Sequence, residues 1–308
     1  MRVTFNTFPD TLLGRLQSLG GEQNKALTQL STGQRISAPS DDAPAMQRIL
    51  NLRTEKKQNQ QFYRNATDGL EVSKVTFSSL DQIKDLVVRS SELAAGVNGV
   101  TSEQEFKAKA AEIDQLIQQG INVANTKLRG NYLFSGDSNS TLPFVEARTA
   151  GKITSVTYNG SSSESKIHVG EGESASIIVG SSADENRAIA ATLTSLIALR
   201  DAMQATPSST KAQSVMSLRS NSTASSLHTI EDTILSALSR AGTIQYRLET
   251  VQKDLELRYE SSEKLISTDA DVDFAEATVR LNRSQMAYQA AIQSGAKIQN
   301  NSLLDYLR

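Results

Sequence analysis

Apolar residues recur at alternating three- and four-residue spacing at both ends of this chain, and that pattern constrains its fold more than any other feature. Near the start the series is Leu12, Leu16, Leu19, Gln23, Ala26 and Leu30; near the end it is Phe274, Ala277, Leu281, Ser284, Tyr288, Ala291, Gly295 and Ile298. Such spacing lays one stripe along a helix with a repeat of about 3.5 residues, the seam of a coiled coil. Amphipathic helices ordinarily pack within their own domain, and the central helices of this chain are read that way. At the ends the pattern differs. Gly20-Gly21 interrupts the first stripe, and both stripes carry polar residues at seam positions, so neither is a strong autonomous helix. The terminal helices are expected to be loose alone and ordered by neighbours, as in a subunit that polymerises through its ends.

Composition supports long, thin helical packing. Hydrophobic residues make up 38%, aromatics 5%, and there is no Trp. Even with glycine added, this lies below the apolar share of about 45–50% usual for a globular protein. The formal net charge of -2 and pI near 5.9 give no global basic field for nucleic acid or anionic lipid. With no Cys, disulfides, thiolate metal sites and cysteine nucleophiles are excluded. The first thirty residues carry no cleavable secretory signal, and no run approaches the roughly 18 apolar residues of a membrane span. The chain is therefore cytosolic or leaves the cell by a route without a cleaved signal.

Along the chain, a first helix is predicted over about 8–30, closed at Ser31-Thr32-Gly33. Ser40, Asp41 and Asp42, with Pro44 in the first turn, start a second helix over about 42–95, interrupted near Gly69. Its stripe holds Leu70, Ser73, Phe77, Leu80, Val87 and Ala94. Gly96 to Thr101 is a turn, and a third helix over about 103–129 completes an α-hairpin. Residues 136–182 turn rich in Gly, Ser and Thr, with β-prone runs at Ile153–Tyr158, Lys166–Val169 and Ser174–Val179. Asn159-Gly160 is a hairpin-type signal between them. A helix to about Ala205 follows, broken by Pro207 and the serines after it. From Leu227 to Leu265 the three/four spacing returns, lapsing only at Arg258 and Ser262; at 1.5 Å per residue this is a rod of roughly 58 Å. Thr268 and Asp269 interrupt it, and the last helix starts near Asp271.

Signals for catalysis are weak. Gly170-Glu171-Gly172-Glu173-Ser174-Ala175 contains G-x-G-x-x-A, but strand sequence follows where a dinucleotide site needs a helix, and Glu171 and Glu173 would repel phosphate. A β-turn is the better reading. Asp269, Asp271 and Asp273 imitate a calcium loop, yet Phe274 stands where Gly is needed and Arg280 where Glu is needed. Acidic residues at a helix start account for them. The two histidines, His168 and His228, lack a nucleophile elbow, and paired carboxylates such as Glu112 and Asp114 read as a solvated helix face. Arg53, Lys56, Lys57 and Arg64 are diluted by Glu55, Gln58, Gln60 and Gln61, again a solvated face rather than a nucleic-acid footprint. No catalytic, cofactor or metal residue is assigned.

Specific residues then carry a resemblance. Leu30-Ser31-Thr32-Gly33-Gln34-Arg35-Ile36-Ser37, followed by Ser40-Asp41-Asp42-Ala43, resembles the N-terminal signature of bacterial flagellins and their relatives. Pro39-Ser40-Asp41-Asp42, Ala124-Asn125-Thr126 with Gly130-Asn131-Tyr132-Leu133-Phe134-Ser135-Gly136, Tyr158-Asn159-Gly160 with Ile167 to Gly170, and Ser302-Leu303-Leu304-Asp305-Tyr306-Leu307 are most similar to the hook–filament junction branch of that superfamily, the third hook-associated proteins.

The resemblance implies a non-enzymatic structural subunit of the extracellular flagellum, forming a homo-oligomeric ring at the hook–filament junction. Its neighbours would be an adjacent hook-associated protein and flagellin. It would be exported by the flagellar type III apparatus without a cleaved signal, and a cytosolic export chaperone would cover the C-terminal stripe beforehand. No cofactor, nucleic acid or membrane insertion is expected. The expected fold is mainly α: a long helical rod or coiled-coil bundle with a small β-rich insertion and terminal helices that pair on assembly. Residues 1–40 plus 271–308 would form the assembly region, 41–135 plus 184–270 the rod, and 136–183 the outer β-rich part. Leu12, Leu16, Leu19, Leu30, Phe274, Leu281, Tyr288, Ile298, Leu303 and Leu304 would make the inter-subunit core.

Overall fold

The computed structural model describes residues 7–138, 140–161, 163, 166–171, 173–176, 183–205, 208–219 and 226–306; within these, 7–9, 173–176, 183–185, 208–209 and 298–306 are described by backbone alone. The elements run α1 (Thr7–Thr32), α2 (Ala43–Ala95), α3 (Glu103–Ala124), β1 (Lys127–Leu128), β2 (Asn131–Tyr132), β3 (Phe144–Thr149), β4 (Lys152–Tyr158), β5 (Lys166–Gly170), β6 (Glu173–Ser176), α4 (Ala183–Gln204), α5 (Ser208–Arg219), α6 (Leu227–Ala270) and α7 (Phe274–Tyr306). The fold is mainly α, as expected, with each described strand in a two-stranded antiparallel pair. Residues divide into two compact units, Met1–Gln58 with Leu257–Arg308 and Asn59–Glu256, and α2 and α6 contribute to both.

In the first unit α1 packs along α7. Gly33, at φ +70°, takes the left-handed conformation that closes α1, and its N–H donates to the Gln29 carbonyl at 2.9 Å. Asp42 caps α2: its Oδ1 accepts from the Ala45 N–H at 3.1 Å. Ile36, Ala45, Ile49 and Ala270 are buried together, with Met46 and Ile266 against them.

The second unit holds the large core. Leu80, Ile83 and Val87 of α2 meet Phe106, Ile113 and Ile117 of α3, Ile189 and Leu193 of α4, and Ile230 and Ile234 of α6. Ser102 and Glu105 form a capping box at the start of α3. At Gly120 a Cβ would come within 2.8 Å of Leu193 Cδ2, so α3 and α4 approach closely there.

Several boundaries differ from the sequence expectation, each for a physical reason. α2 runs unbroken through Gly69, which is buried between Ala66 and Leu70, and packing there outweighs the helix cost of glycine of about 1 kcal/mol. α3 stops at Ala124 rather than 129. The Asn125 side chain both donates to the Phe144 carbonyl (2.9 Å) and accepts from the Phe144 N–H (3.0 Å), standing in for a strand neighbour. Beyond it, Arg129 and Gly130 (φ 52° and 89°) turn β1 into β2. Ala150 and Gly151 (φ 52° and 82°) likewise turn β3, a strand not anticipated, into β4. Positive φ at both central residues is the geometry of a two-residue hairpin; glycine adopts it freely at the second, while Arg129 and Ala150 are held in it at the first.

Asn159-Gly160 is therefore not the hairpin turn; the Asn159 N–H instead donates to the Pro143 carbonyl at 2.7 Å. The G-x-G-x-x-A run does form the β5–β6 turn, with Gly170 paired to Glu173; Ile177 to Val179 of the expected strand lie outside the described residues. After Pro207 a new helix, α5, begins at once. It is anchored by Lys211, 1% exposed, whose ammonium meets both Glu103 carboxylate oxygens at 2.7 Å. Arg200 is similarly buried, bound to Asp114, Asp201 and the Ile153 carbonyl. α6 continues past Thr268 because its hydroxyl donates to the Lys264 carbonyl one turn back and stays within the helix.

Candidate assembly interface

Two contacts fix how α1 and α7 meet. A Cβ at Gly295 would stand 2.5 Å from Leu12 Cδ2, and one at Gly33 would stand 3.7 Å from Phe274 Cζ. The helices are thus antiparallel, and these contacts are equally far apart along each. The same register sets Leu16 across from Ala291, Leu19 from Tyr288, Gln23 from Ser284, Ala26 from Leu281, and Leu30 from Ala277. Every pair joins two positions of the periodic stripes, so the pattern at the two ends is one seam within a single chain.

That seam is incompletely covered. Ala26, Ala277, Ser284 and Gly295 are buried, whereas Leu12, Leu16, Leu19, Leu30, Leu281 and Tyr288 are only half-buried. Phe274 caps the end of the pair and is 57% exposed. Ile298, Leu303 and Leu304 continue α7, and their side chains lie outside the described residues. Leu13, Leu27, Val279, Met286 and Ile292 are also exposed on the same two helices. Between the helices lies a groove of about 400 Å³ floored by Leu19, Ala26, Ser284 and Ala287 and edged by Glu22, Lys25, Arg280 and Arg283.

Beneath the pair, the signature segment becomes a junction where α1, α2, α6 and α7 meet. Gln34 and Asp271 form an antiparallel bridge; the Arg35 N–H donates to the Ala270 carbonyl (2.6 Å) and the Val272 N–H to the Gly33 carbonyl (3.0 Å). The Arg35 guanidinium donates to the Asp269 carbonyl at 2.8 Å and lies 3.5 Å from the Asp42 carboxylate. Arg48 grips the Asp269 carboxylate through two hydrogen bonds of 3.0 Å. This pairing, with Arg35 nearby, holds the Asp269 carboxyl below its ordinary range. Asp41 collects more. One oxygen meets Lys25 Nζ at 2.8 Å, and the other accepts from the Ser37 and Ala38 N–H groups and the Ser37 hydroxyl. The Lys25 bond first, and the backbone amides next, hold its carboxyl far below the usual carboxylate range.

The three acidic residues at 269, 271 and 273 do what helix ends require: Asp269 binds Arg48, Asp271 accepts from the Ser267 hydroxyl, and Asp273 caps α7 through the Ala275 and Glu276 N–H groups. Lys56, one of the diluted cations, pairs with Glu263 and sits over the Tyr259 ring. Lys25, Gln29 and Arg48 were not singled out by the sequence; Arg48 and Asp269 lie 221 residues apart and meet only in the fold.

Models of the N-terminal and C-terminal helical regions of bacterial flagellin match residues 11–139 and 227–307. Flagellar hook-associated protein 3 of Escherichia coli (strain K12) is 31% identical over 122 residues, which is 39% of this chain and 38% of that protein; the match spans well under half of that relative. A solved flagellar hook-associated protein of Vibrio parahaemolyticus superposes with a TM-score of 0.62 at 18% identity, covering 75% of this chain and all of that one. The flagellar junction protein FlgL of Legionella pneumophila superposes with a TM-score of 0.54 at 14% identity, covering 73% and 100%. At these identities the structural likeness is one of fold. The two family matches together take in most of the chain and contain the whole of α2, α3 and α6, and the chain belongs to the bacterial flagellin family, whose members are structural proteins of the flagellum.

Proposed function

We propose that this chain is a non-enzymatic structural subunit that joins hook to filament in the bacterial flagellum and polymerises through α1 and α7. The observation that carries this reading is the half-covered seam. Leu12, Leu16, Leu19, Leu30, Leu281 and Tyr288 remain partly open after α1 and α7 have paired, and further apolar side chains are exposed elsewhere on the two helices. Neighbouring subunits that cover them would bury the apolar surface that a lone two-helix pair leaves wet, at about 25 cal/mol per Å². Phe274, Ile298, Leu303 and Leu304 belong to the same assembly surface. On this reading, residues 1–40 with 271–308 are the assembly region, 41–135 with 184–270 the rod, and 136–183 the outward-facing part.

The product is a homo-oligomeric ring between an adjacent hook-associated protein and flagellin. Export through the flagellar type III apparatus needs no cleaved signal, and a cytosolic chaperone covers α7 until then. The test is location and assembly together. The protein should be found in sheared, purified flagella, at the hook-proximal end by immunogold labelling, and should not form long filaments alone under polymerising conditions. Long self-assembled filaments would instead make it a filament flagellin. Confinement to the cytosol would remove it from the flagellum altogether.

A further inference from the structure

Asparagine is followed by glycine at two places in this chain, Asn98-Gly99 and Asn159-Gly160. An asparagine carboxamide is open to attack by the backbone nitrogen of the next residue, and glycine, without a Cβ, lets the backbone swing that nitrogen onto it. The two sites share one chemistry and have opposite surroundings.

Asn98-Gly99 forms the tip of the turn between α2 and α3. Asn98, Gly99 and Val100 are exposed, and a Cβ at Gly99 would meet nothing within 4 Å. Asn98 Oδ1 accepts from the Val100 N–H at 3.1 Å and from the Thr101 hydroxyl at 3.1 Å. That hydroxyl is itself held by the Asn98 N–H, which donates to it at 2.9 Å. Among the described residues, neither the Gly99 N–H nor Asn98 Nδ2 has a hydrogen-bond partner. Nucleophile and leaving group are thus uncommitted, while two donors hold the carbonyl oxygen at the distances over which oxyanion holes act.

Asn159-Gly160 is closed. The Asn159 N–H donates to the Pro143 carbonyl at 2.7 Å and the Ser161 N–H to the Ser135 carbonyl at 2.9 Å. Gly160 between them is half-buried, and a Cβ on it would fall on the Tyr158 hydroxyl. The backbone is pinned on both sides, so the Gly160 nitrogen reaches the Asn159 carboxamide only after local opening.

We propose that Asn98 is a site of spontaneous deamidation, assisted by the Val100 N–H and the Thr101 hydroxyl, and that the fold shields Asn159 from the same reaction. Solvent hydroxide takes the Gly99 amide proton, and the nitrogen bonds to Asn98 Cγ. Oδ1 carries the resulting negative charge, where its two donors stabilise it. The Cγ–Nδ2 bond then breaks, Nδ2 takes a proton from water and leaves as ammonia, and a succinimide remains. Water opens that ring at Cγ to give aspartate, or at the former Asn98 backbone carbonyl to give isoaspartate, with the backbone rerouted through Cβ. Nothing is oxidised or reduced. Either product places a negative charge at the turn, and the aspartyl form keeps both accepted hydrogen bonds, since a carboxylate accepts as the amide oxygen does. This chemistry depends on the turn alone and is independent of the assembly role proposed above.

The test incubates the full folded chain at mildly alkaline pH and follows the two asparagine peptides by mass spectrometry, which reads the amide-to-acid mass gain. Asn98 should convert at least about tenfold faster than Asn159, the difference that a required opening step imposes on the closed site. In denaturant the two should convert at similar rates; a disparity that persists there would overturn the role of the fold. Gly99→Ala, for which the turn has room, should slow Asn98 at least about tenfold by restricting the backbone of the attacking residue. Thr101→Val should slow it about two- to tenfold, the worth of one hydrogen bond, and Thr101→Ser should leave it unchanged. Circular dichroism checks that each variant is folded. Equal rates at Asn98 and Asn159 in the folded chain would overturn the proposal. An unchanged or faster rate in Thr101→Val would overturn the assistance by that hydroxyl.

Discussion

Leu12 fills the space that any side chain at Gly295 would occupy, with its Cδ2 standing 2.5 Å from where that Cβ would be. A leucine knob at one end of the chain and a glycine hole near the other therefore specify each other. Gly295→Val should destabilise the α1–α7 pair by about 1–3 kcal/mol, as overpacking does elsewhere. Adding Leu12→Ala should recover much of the loss by vacating the site. Helicity and thermal melting of the single and double variants would measure both effects.

Hydrogen exchange should separate the α1–α7 pair from the second unit. The pair has a narrow seam and half-buried apolar residues, while the second unit has a deep core, so their local stabilities differ. In the dilute subunit, amides of α1 and α7 should exchange far faster than those of α3 around Ile113 and Ile117, which are fully buried. Assembly should slow exchange in α1 and α7 selectively. Equal protection of these helices and the core before assembly would contradict a surface waiting for neighbours.

The junction should weaken in acid. Asp41 and Asp269 both have folded-state values held below the ordinary carboxyl range, so the native state binds fewer protons than the unfolded one. The stability they add is complete above their unfolded value of about 3.9 and is lost as pH falls below it. Asp41→Asn should flatten the slope of unfolding midpoint against pH between about pH 5 and 2, while leaving the neutral-pH hydrogen bonds to Ser37 and Ala38 partly made.

Lys211 offers a test of buried charge. Its side chain is 1% exposed, against 47% for that of its partner Glu103. Glu103→Ala should cost about 3–5 kcal/mol, because it strands the buried cation, whereas Lys211→Met should cost much less by replacing it with apolar volume. Denaturant midpoints of the two variants decide the order.

Asn125 makes its point through the backbone it serves. Asn125→Ala should cost about 1–3 kcal/mol for each Phe144 group left unpaired, and Asn125→Asp should restore only the acceptor half. Chemical denaturation of the three chains would show the graded series.

Much of this was legible in the chain itself. The three/four spacing placed α1, α3 and the long α6, because helix amphipathicity is written in local order. Gly33 and Asp42 marked the helix ends where they occur, since a left-handed residue and a side-chain cap act within a turn of their own position. β3 was not anticipated because, of its six residues, only Phe144 is buried, so it carries no apolar alternation, and α5 because it is held by a lysine buried on the far-off Glu103. Asn159-Gly160 carried a turn signal, but the hairpin turns at Ala150-Gly151, where pairing of β3 with β4 holds Ala150 at positive φ.

The sequence by itself determined that both ends are amphipathic helices with coiled-coil spacing and that no catalytic site is spelled out. Periodicity and residue chemistry are local properties, and they survive without a fold. Only the tertiary structure decided that those two stripes form one antiparallel seam, in the register that lays Leu12 against Gly295. It alone gathered Lys25, Arg35, Asp41, Arg48 and Asp269 around a bridged pair of strands. Register and ion pairing depend on which distant residues meet, and that choice is made by burial of the whole chain.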